Sequence, residues 1–291
     1  MATINASQDY DFISTLTFAS ASGTCEINLY RDSFFPFSGT VYYRTGTSGS
    51  WTTLSVSGNS TTFPVGSTTM QVANDWNKSG NNHVTQSFSG QASNLIEIAI
   101  SQKAAVSGNL GEYFLAYYAR ECSSLTSLDI PDVLLATSVG SNFMAVYARD
   151  CSSLTALLVP DTSNITTVGS GFMFGYADTC TSLTSLSIPK TANLTSVGSS
   201  FMRNYADACT SLERLELPEA GWFAGNNVDW NVPSGRLNTL KGYVKKSTDL
   251  SNWQDLVVSG KTLYTNYVRD TDDVILESSF NPAFAHRRLL L

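Results

Sequence analysis

Two different patterns of hydrophobic and polar positions divide the chain. Up to about residue 105, short apolar and polar alternations are separated by Gly, Ser and Asn at intervals of roughly 8–12 residues. This spacing is typical of an antiparallel β-sandwich, and we expect an immunoglobulin-like module. The pattern predicts strands at Leu16–Phe18, Cys25–Tyr30, Thr40–Arg44, Trp51–Val56, Thr61–Val65, Thr68–Val72, Val84–Phe88 and Leu95–Ile100.

One pair of these strands has the composition of a β-hairpin. The runs Val41–Arg44 and Trp51–Leu54 both alternate, and the Gly- and Ser-rich segment Thr45–Ser50 separates them. Such a segment supplies the backbone freedom that a tight reversal needs. The sequence therefore predicts that these two strands pair antiparallel.

From Gly111 onward the pattern changes to a strict repeat of 29 residues without insertions. The repeated columns are Gly111, Gly140, Gly169 and Gly198; Phe114, Phe143, Phe172 and Phe201; Tyr118, Tyr147, Tyr176 and Tyr205; Cys122, Cys151, Cys180 and Cys209; Leu125, Leu154, Leu183 and Leu212; Leu128, Leu157, Leu186 and Leu215; and Pro131, Pro160, Pro189 and Pro218. A fixed period of this length is typical of a solenoid of stacked units.

One unit contains two predicted elements. Phe143, Tyr147 and Cys151 lie at i, i+4 and i+8, which favours one apolar stripe on a short helix. Leu154 and Leu157 then have leucine-rich-repeat spacing and are expected to point inward from a short strand, which the following proline ends. A unit of this size cannot bury its own apolar face, so we expect the copies to stack into one α/β solenoid core.

The repeats resemble a known family. The run Cys180–Pro189, with Leu194–Phe201 after it, is similar to the BspA-like leucine-rich repeats, which place a C-x-S-L-x-x-L-x-I-P strand after a V-G-x-x-x-F helix. The resemblance covers roughly residues 108–218. It implies a context of surface adhesins of bacteria and protists and of phage-encoded proteins, and the preceding sandwich fits that arrangement.

After Pro218 the period is lost, which gives three expected domains: a sandwich at 1–105, a solenoid of four repeats at 106–218 and a C-terminal cap and docking tail at 219–291. Leu237–Val244 is expected to form a last, degenerate repeat strand. The chain ends in Arg287, Arg288, Leu289, Leu290 and Leu291. Exposed terminal leucines gain free energy by burial, so we expect this tail to dock on another protein subunit.

Charge and hydropathy narrow the classes of partner. The formal net charge is −7 and the isoelectric point is about 4.8, which disfavours a phosphate-binding surface and hence a nucleic-acid partner. No apolar run reaches the roughly 20 residues that span a bilayer. The residues after Met1 lack the basic and apolar regions of a secretion signal, so we expect a product of the host cytoplasm; the alternative is a leader removed before this numbering begins, and the retained Met1 favours the first.

The sequence offers little catalytic chemistry. His83 and His286 are the two histidines, and no nucleophile motif lies near either. The acidic turn at Asp270, Asp272 and Asp273 lacks the glycine and distal glutamate of a calcium loop. The repeated cysteines form no C-x-x-C pair and are expected to be buried and unpaired. We therefore expect no enzyme activity, cofactor or metal.

Asn-x-Ser/Thr triplets carry little weight in a chain so rich in Ser and Thr. They begin at Asn5, Asn59, Asn77, Asn164 and Asn193.

Outward strand positions change between repeats where the core columns do not. This variation suggests a recognition face, and its alternative is an ordinary solvated sheet face. The candidate residues are Asp129, Leu158, Ser187, Glu213, Arg214 and Glu216.

These observations favour a non-enzymatic, virion-associated structural, fibre or decoration protein of a phage that displays an adhesive solenoid. The expected partners are other subunits of a particle or further copies of the chain, and a host-surface protein or glycan. A bacterial or protist cell-surface adhesin is the alternative. A glycosidase would need paired carboxylates across a cleft, and no local motif indicates them.

Overall fold

The protein is described by a computed structural model, which covers residues 12–30, 39–56, 60–74, 85–88, 94–102, 107–187, 189–190, 193–212, 214–216, 241–244, 257–258, 261–262 and 267–269. The described residues form β-strands, turns and loops and contain no α-helix. The strands are β1 Phe12–Phe18, β2 Thr24–Tyr30, β3 Gly39–Thr45, β4 Thr52–Val56, β5 Ser60–Pro64, β6 Thr69–Asn74, β7 Thr85–Ser87, β8 Leu95–Gln102, β9 Ser107–Leu110, β10 Ser127–Leu128, β11 Leu135–Val139, β12 Ala156–Leu157, β13 Thr167–Val168, β14 Ser185–Leu186, β15 Ser196–Val197, β16 Arg214–Glu216, β17 Lys241–Val244, β18 Val257–Val258, β19 Lys261–Thr262 and β20 Tyr267–Arg269.

The N-terminal strands form two sheets. β8, β1, β6, β3 and β4 are neighbours in that order and pair antiparallel, and β5, β2 and β7 form the second antiparallel sheet. The Tyr43 ring of one sheet stacks on the Phe63 ring of the other at 5.0 Å. All eight predicted strands are present, and the predicted hairpin is confirmed because Val41 of β3 pairs with Leu54 of β4.

The repeats form a β-solenoid of about three turns with a period of roughly 29 residues. We number its coils one to four from Gly111, Gly140, Gly169 and Gly198. Two stacks of parallel strands run along it: β9, β11, β13 and β15 on one side, and β12, β14, β16, β17 and β20 on the other. The expected late repeat strand is present as β17, which pairs parallel with β16.

The predicted helix in each repeat is wrong. In its place, the backbone alternates between right-handed and left-handed conformations, with φ between 48° and 68° at every left-handed position. These positions are Tyr113, Leu115, Tyr117 and Glu121 in coil one; Asn142, Met144, Val146 and Asp150 in coil two; Gly171, Met173, Gly175 and Thr179 in coil three; and Ser200, Met202, Asn204 and Ala208 in coil four. We call each of these stretches the left-handed segment of its coil.

Hydrogen bonds between coils explain this conformation. A helix would satisfy its own N–H groups four residues back, whereas these N–H groups donate to carbonyls of the next coil at 2.6–2.9 Å. Between coils one and two the donors are Tyr113, Tyr117, Ala119 and Glu121, and one bond, from Met144 N–H to the Phe114 carbonyl, runs in the opposite direction. The same four-to-one pattern recurs at the next two junctions. Stacking therefore outweighs the unfavourable left-handed backbone.

The inward columns fill the solenoid as ladders of identical side chains. The stacked Phe and Tyr rings are 5.2–5.6 Å apart, with interplanar angles of 6–10°. Leu154, Leu157, Leu183 and Leu186 are buried, as their spacing predicts. The inward assignment of the leucine strand is therefore confirmed, although the apolar stripe before it lies on no helix.

The core continues from the sheets into the solenoid. β7 and β8 make the contacts to coil one that a preceding coil would make. The Phe88 N–H donates to the Tyr118 carbonyl at 2.7 Å, as the Ala119 N–H does to the Tyr147 carbonyl at 2.8 Å. The Phe88 carbonyl also accepts from the Cys122 thiol at 3.1 Å. Strand β10 pairs parallel with β8. One buried cluster consequently extends from Phe12 to Leu212.

Candidate functional site

The predicted recognition face lies along the side of the solenoid that carries β10, β12 and β14. Asp129, Leu158 and Ser187 directly follow these strands, and each is half-buried. Their carbonyls accept the tyrosine hydroxyls of the next coil: Tyr147 donates to Asp129 at 2.5 Å, Tyr176 to Leu158 at 2.6 Å and Tyr205 to Ser187 at 2.8 Å. Hydrogen bonds from the buried tyrosines thus fix the backbone of this face.

Two observations limit what the predicted residues can contact. The Asp129 carboxylate accepts a hydrogen bond from the Ile100 N–H at 3.1 Å, so it is already used in joining coil one to β8. The described residues of this face whose side chains are exposed are instead Thr126, Thr155, Ala156 and Thr184. The structure brings Asp129, Leu158 and Ser187 into one row.

For the other predicted residues, the structure describes the strand of two and leaves the rest outside the described residues. Arg214 and Glu216 lie in β16, which pairs parallel with β14. Glu213 lies outside the described residues, as do the tail Arg287–Leu291, the two histidines and the acidic turn at 270–273.

A second surface, which the sequence reasoning missed, covers the side formed by β11, β13 and β15. It has three columns, and we call it the Thr–Asn face: Leu135, Asn164 and Asn193; Thr137, Thr166 and Thr195; Ser138, Thr167 and Ser196. All are exposed except Ser138, which is half-buried. The signal in the sequence was the Asn-x-Thr triplet at Asn164, repeated 29 residues later at Asn193.

Hydrogen bonds between coils fix the side chains of the Thr–Asn face. The Thr166 hydroxyl donates to the Thr137 carbonyl at 3.2 Å, and the Thr195 hydroxyl donates to the Thr166 carbonyl at 3.0 Å. The Asn164 amide donates to the Leu134 carbonyl at 2.7 Å, and Asn193 makes the equivalent bond at 2.6 Å. Hydroxyl lone pairs, the amide oxygens and one remaining amide N–H of each asparagine are left for a ligand.

One ion pair borders the Thr–Asn face, and an apolar pair, Leu134 and Leu135, lies at its coil-one end. The Lys190 ammonium lies 2.8 Å from the Asp161 carboxylate in the coil before it. Burial works against ionisation of Asp161, but its hydrogen bonds from Lys190 and Ser163 hold its pKa below the usual value. Leu134 and Leu135 are 39% and 53% exposed.

The left-handed segments carry a buried acid. Asp178 lies 3.3 Å from the Arg149 guanidinium and accepts from the Thr179 hydroxyl at 3.1 Å. Burial raises the pKa of Asp178, and Asp207 and Asp150 raise it further. Within the part of the chain that the structure describes, no group of three His, Cys, Asp or Glu side chains is arranged to hold a metal ion.

The repeated thiols are structural. Each donates to a carbonyl of the preceding coil: Cys122 to Phe88 at 3.1 Å, Cys151 to Ala119 at 3.0 Å, Cys180 to Ala148 at 3.1 Å and Cys209 to Ala177 at 3.0 Å. Burial raises the pKa of the Cys151 and Cys180 thiols well above the usual value and that of Cys209 to about 12. The expectation of buried, unpaired cysteines is confirmed.

Comparison with known proteins adds no relative: no family model, no curated protein and no solved structure matches the chain. Among the described residues, no helical segment has the length and apolarity needed to cross a bilayer.

Proposed function

We propose that the chain is a non-enzymatic, virion-associated structural or decoration protein whose solenoid displays an adhesive surface. The observation that carries this proposal is the backbone hydrogen bond from Phe88 to Tyr118, because it extends the coil-to-coil ladder into the N-terminal sheets. A display arm must keep its orientation relative to the module that attaches it. A shared core and a shared ladder supply that rigidity without a flexible linker.

The division between constant and variable columns supports the adhesive part of the proposal. Buried Phe, Tyr, Cys and Leu columns are identical in all four coils, whereas the row after the β10, β12 and β14 strands changes from Asp129 to Leu158 to Ser187. Leu158 and Ser187 are held by their carbonyls, so their side chains can differ without loss of the scaffold, whereas the Asp129 carboxylate also joins coil one to β8. A recognition surface needs such tolerance.

Two finer assignments accompany this proposal. We assign the repeats to the BspA-like leucine-rich repeats on their C-x-S-L-x-x-L-x-I-P strands, although a left-handed segment stands where the family pattern implies a helix. We also propose that the N-terminal sheets are an immunoglobulin-like module that attaches the chain to a particle, with the tail Arg287–Leu291 docking on a neighbouring subunit.

The test is the location of the chain in infected host cells. We expect quantitative mass spectrometry of purified particles to find the chain at a fixed ratio to the major particle proteins. Deletion of Arg287–Leu291 should lower that ratio. Deletion of coils two and three, from Gly140 to Val197, removes two whole periods and should retain attachment but abolish adhesion to host cells. Recovery of the chain in the cell envelope and its absence from particles would contradict the proposal and favour the cell-surface adhesin.

A further inference from the structure

None of the nine positions of the Thr–Asn face is charged, and its column of asparagines has no counterpart among the exposed residues Thr126, Thr155, Ala156 and Thr184 of the opposite side. The chain carries 17 basic and 24 acidic residues, yet the ion pair at the border of this face, Lys190 with Asp161, neutralises itself. A surface without net charge gives no electrostatic advantage to nucleic acids, anionic lipids or acidic polysaccharides. Its polar groups instead match a neutral ligand that both donates and accepts hydrogen bonds.

The groups on this face are already ordered before any ligand arrives. The Thr166 and Thr195 hydroxyls donate hydrogen bonds to backbone carbonyls, so toward a ligand their oxygens can only accept. Asn164 and Asn193 each donate one amide N–H to a backbone carbonyl. The second N–H and the amide oxygen of each remain available to a ligand. Binding therefore costs little side-chain entropy, which is the principal cost of contacts made by flexible polar side chains.

The regularity of the face points to a polymer. The Asn-x-Thr-Ser/Thr group at Asn164 recurs at Asn193, and Leu135 begins the equivalent Leu-x-Thr-Ser group of coil one. The rings stacked inside the solenoid repeat with centroids 5.2–5.6 Å apart, and paired strands lie about 4.7–4.9 Å apart. A pyranose unit in an extended glycan advances by a comparable length. A globular protein partner presents no such one-dimensional repeat, whereas successive sugars can make the same contacts on successive coils. Leu134 and Leu135 add an apolar area at one border, which suits the C–H face of a sugar ring.

We propose that the Thr–Asn face binds an uncharged, extended polysaccharide that lies along the solenoid axis. This inference rests on the proposed display function and names the ligand class of its adhesive surface. Sugar hydroxyls donate to the threonine oxygens and accept from the asparagine amides, and each coil contacts about one sugar unit.

The test compares single charges placed on opposite sides of the solenoid in the full chain. Thr167→Glu puts a carboxylate on the middle coil of the Thr–Asn face, and Thr155→Glu puts one on the opposite side at another exposed threonine of coil two. The probes are insoluble cellulose and chitin for co-sedimentation, soluble cellohexaose for calorimetry, and alginate as the anionic counterpart. We expect the wild-type chain to bind at least one neutral glycan but not alginate, and Thr167→Glu to weaken binding about tenfold or more while Thr155→Glu does not.

Ser196→Glu repeats the test in the next coil, and unchanged thermal unfolding of the variants excludes misfolding. Failure of the wild-type chain to bind any neutral probe, or equal losses in the Thr155 and Thr167 variants, would overturn the inference. Neither result bears on the proposed virion location, which the particle measurement decides separately.

Discussion

The hydroxyl group of Tyr118 lies 2.8 Å from the hydroxyl oxygen of Ser14, in the middle of strand β1. The equivalent tyrosines of the next three coils donate to backbone carbonyls, so coil one exchanges a contact within the solenoid for a contact with the N-terminal sheet. Both groups are fully buried. This pair is therefore a direct probe of how strongly the sheets and the solenoid are joined.

Removal of either hydroxyl should destabilise the whole chain. We expect Ser14→Ala or Tyr118→Phe to lower the free energy of unfolding by about 1–3 kcal/mol, because the partner left behind is buried. The double variant should cost less than the sum of the two, because each single change already breaks the shared hydrogen bond. Chemical denaturation measures all three, with the exposed Thr52→Ala as control. Additive losses would show that the two hydroxyls do not interact.

The glycine column is expected to tolerate no side chain. A Cβ atom at Gly169 would lie 2.5 Å from the Ser141 backbone nitrogen and 2.6 Å from the Gly140 carbonyl carbon, both in or next to the preceding coil. We expect Gly169→Ala to destabilise the protein by about 1–3 kcal/mol or more, because backbone cannot move aside as a flexible side chain does. The neighbouring Ser170→Ala, at an exposed position, should change stability by about 0.5 kcal/mol at most. Equal thermal midpoints for the two variants would contradict this close approach.

The left-handed segments can be tested at Ala208, where φ is 53°. Glycine removes the left-handed penalty of about 1–2 kcal/mol and adds an unfolded-state cost of about 0.5–1 kcal/mol. We therefore expect Ala208→Gly to stabilise the chain by about 0.5 kcal/mol. Ala206→Gly, two residues earlier and without a left-handed φ, should be destabilising. If both substitutions destabilise equally in denaturant titrations, the alternation of backbone conformation is wrong.

All five thiols should resist modification in the native state. The cysteines are completely buried, and burial raises the pKa of Cys25, Cys151, Cys180 and Cys209, which disfavours the reactive thiolate. A chromogenic thiol reagent at neutral pH should react slowly with the folded chain. After denaturation it should react with all five thiols. The added surface thiol of Thr155→Cys should react at once. Rapid native labelling of the wild-type chain would contradict the stacked cysteine column.

Two aspartates should respond to pH with opposite signs. Asp178 has a pKa above its ordinary 3.8 in the folded state. The folded state therefore keeps this proton to a higher pH than the unfolded state does, and the contribution of Asp178 to stability falls as the pH rises above 3.8. Asp161 has a lowered pKa, so its contribution is present at higher pH and lost on acidification. Relative to wild type, Asp178→Asn should gain stability as the pH rises above 3.8, and the stability deficit of Asp161→Asn should shrink as the pH falls below 3.8. Chemical denaturation on both sides of pH 3.8 provides the comparison, and parallel pH profiles would contradict the assignments.

The sequence predicts the N-terminal strands and the inward leucines because their signals are local. The β-prone run Leu16–Phe18 and the spacing of Leu183 and Leu186 each depend on a few neighbouring residues. The run lies within β1, which begins four residues earlier at Phe12, and both leucines are buried. The helix prediction failed because Phe143, Tyr147 and Cys151 have a spacing that an alternating backbone also turns inward. What decides between the two conformations is hydrogen bonding to a coil 29 residues away, which no local pattern records.

The Thr–Asn face was missed for a related reason. An exposed Asn164 or Thr166 is unremarkable as a single residue, and a chain rich in Ser and Thr contains many such positions. The residues become a surface only when Asn193 and Thr195 are stacked beside them and their protons are taken by the neighbouring backbone. In a solenoid, the residues that stand at equivalent positions of successive coils therefore say more about a surface than a short motif within one coil does.

The four-to-one direction of the bonds between left-handed segments also makes the solenoid an electrical dipole. Each peptide group carries about 3.5 D, and here the N–H ends point toward coil four while the carbonyl ends point back toward the N-terminal sheets. One column of the left-handed segments follows this field, with cations at the negative end and anions at the positive end: Arg120, Arg149, Asp178 and Asp207. The acids that oppose the field, Glu121 and Asp150, each form an ion pair with the arginine before them. The two ends of the stack are thus electrically distinct, and its polarity is set by the backbone before any side chain contributes.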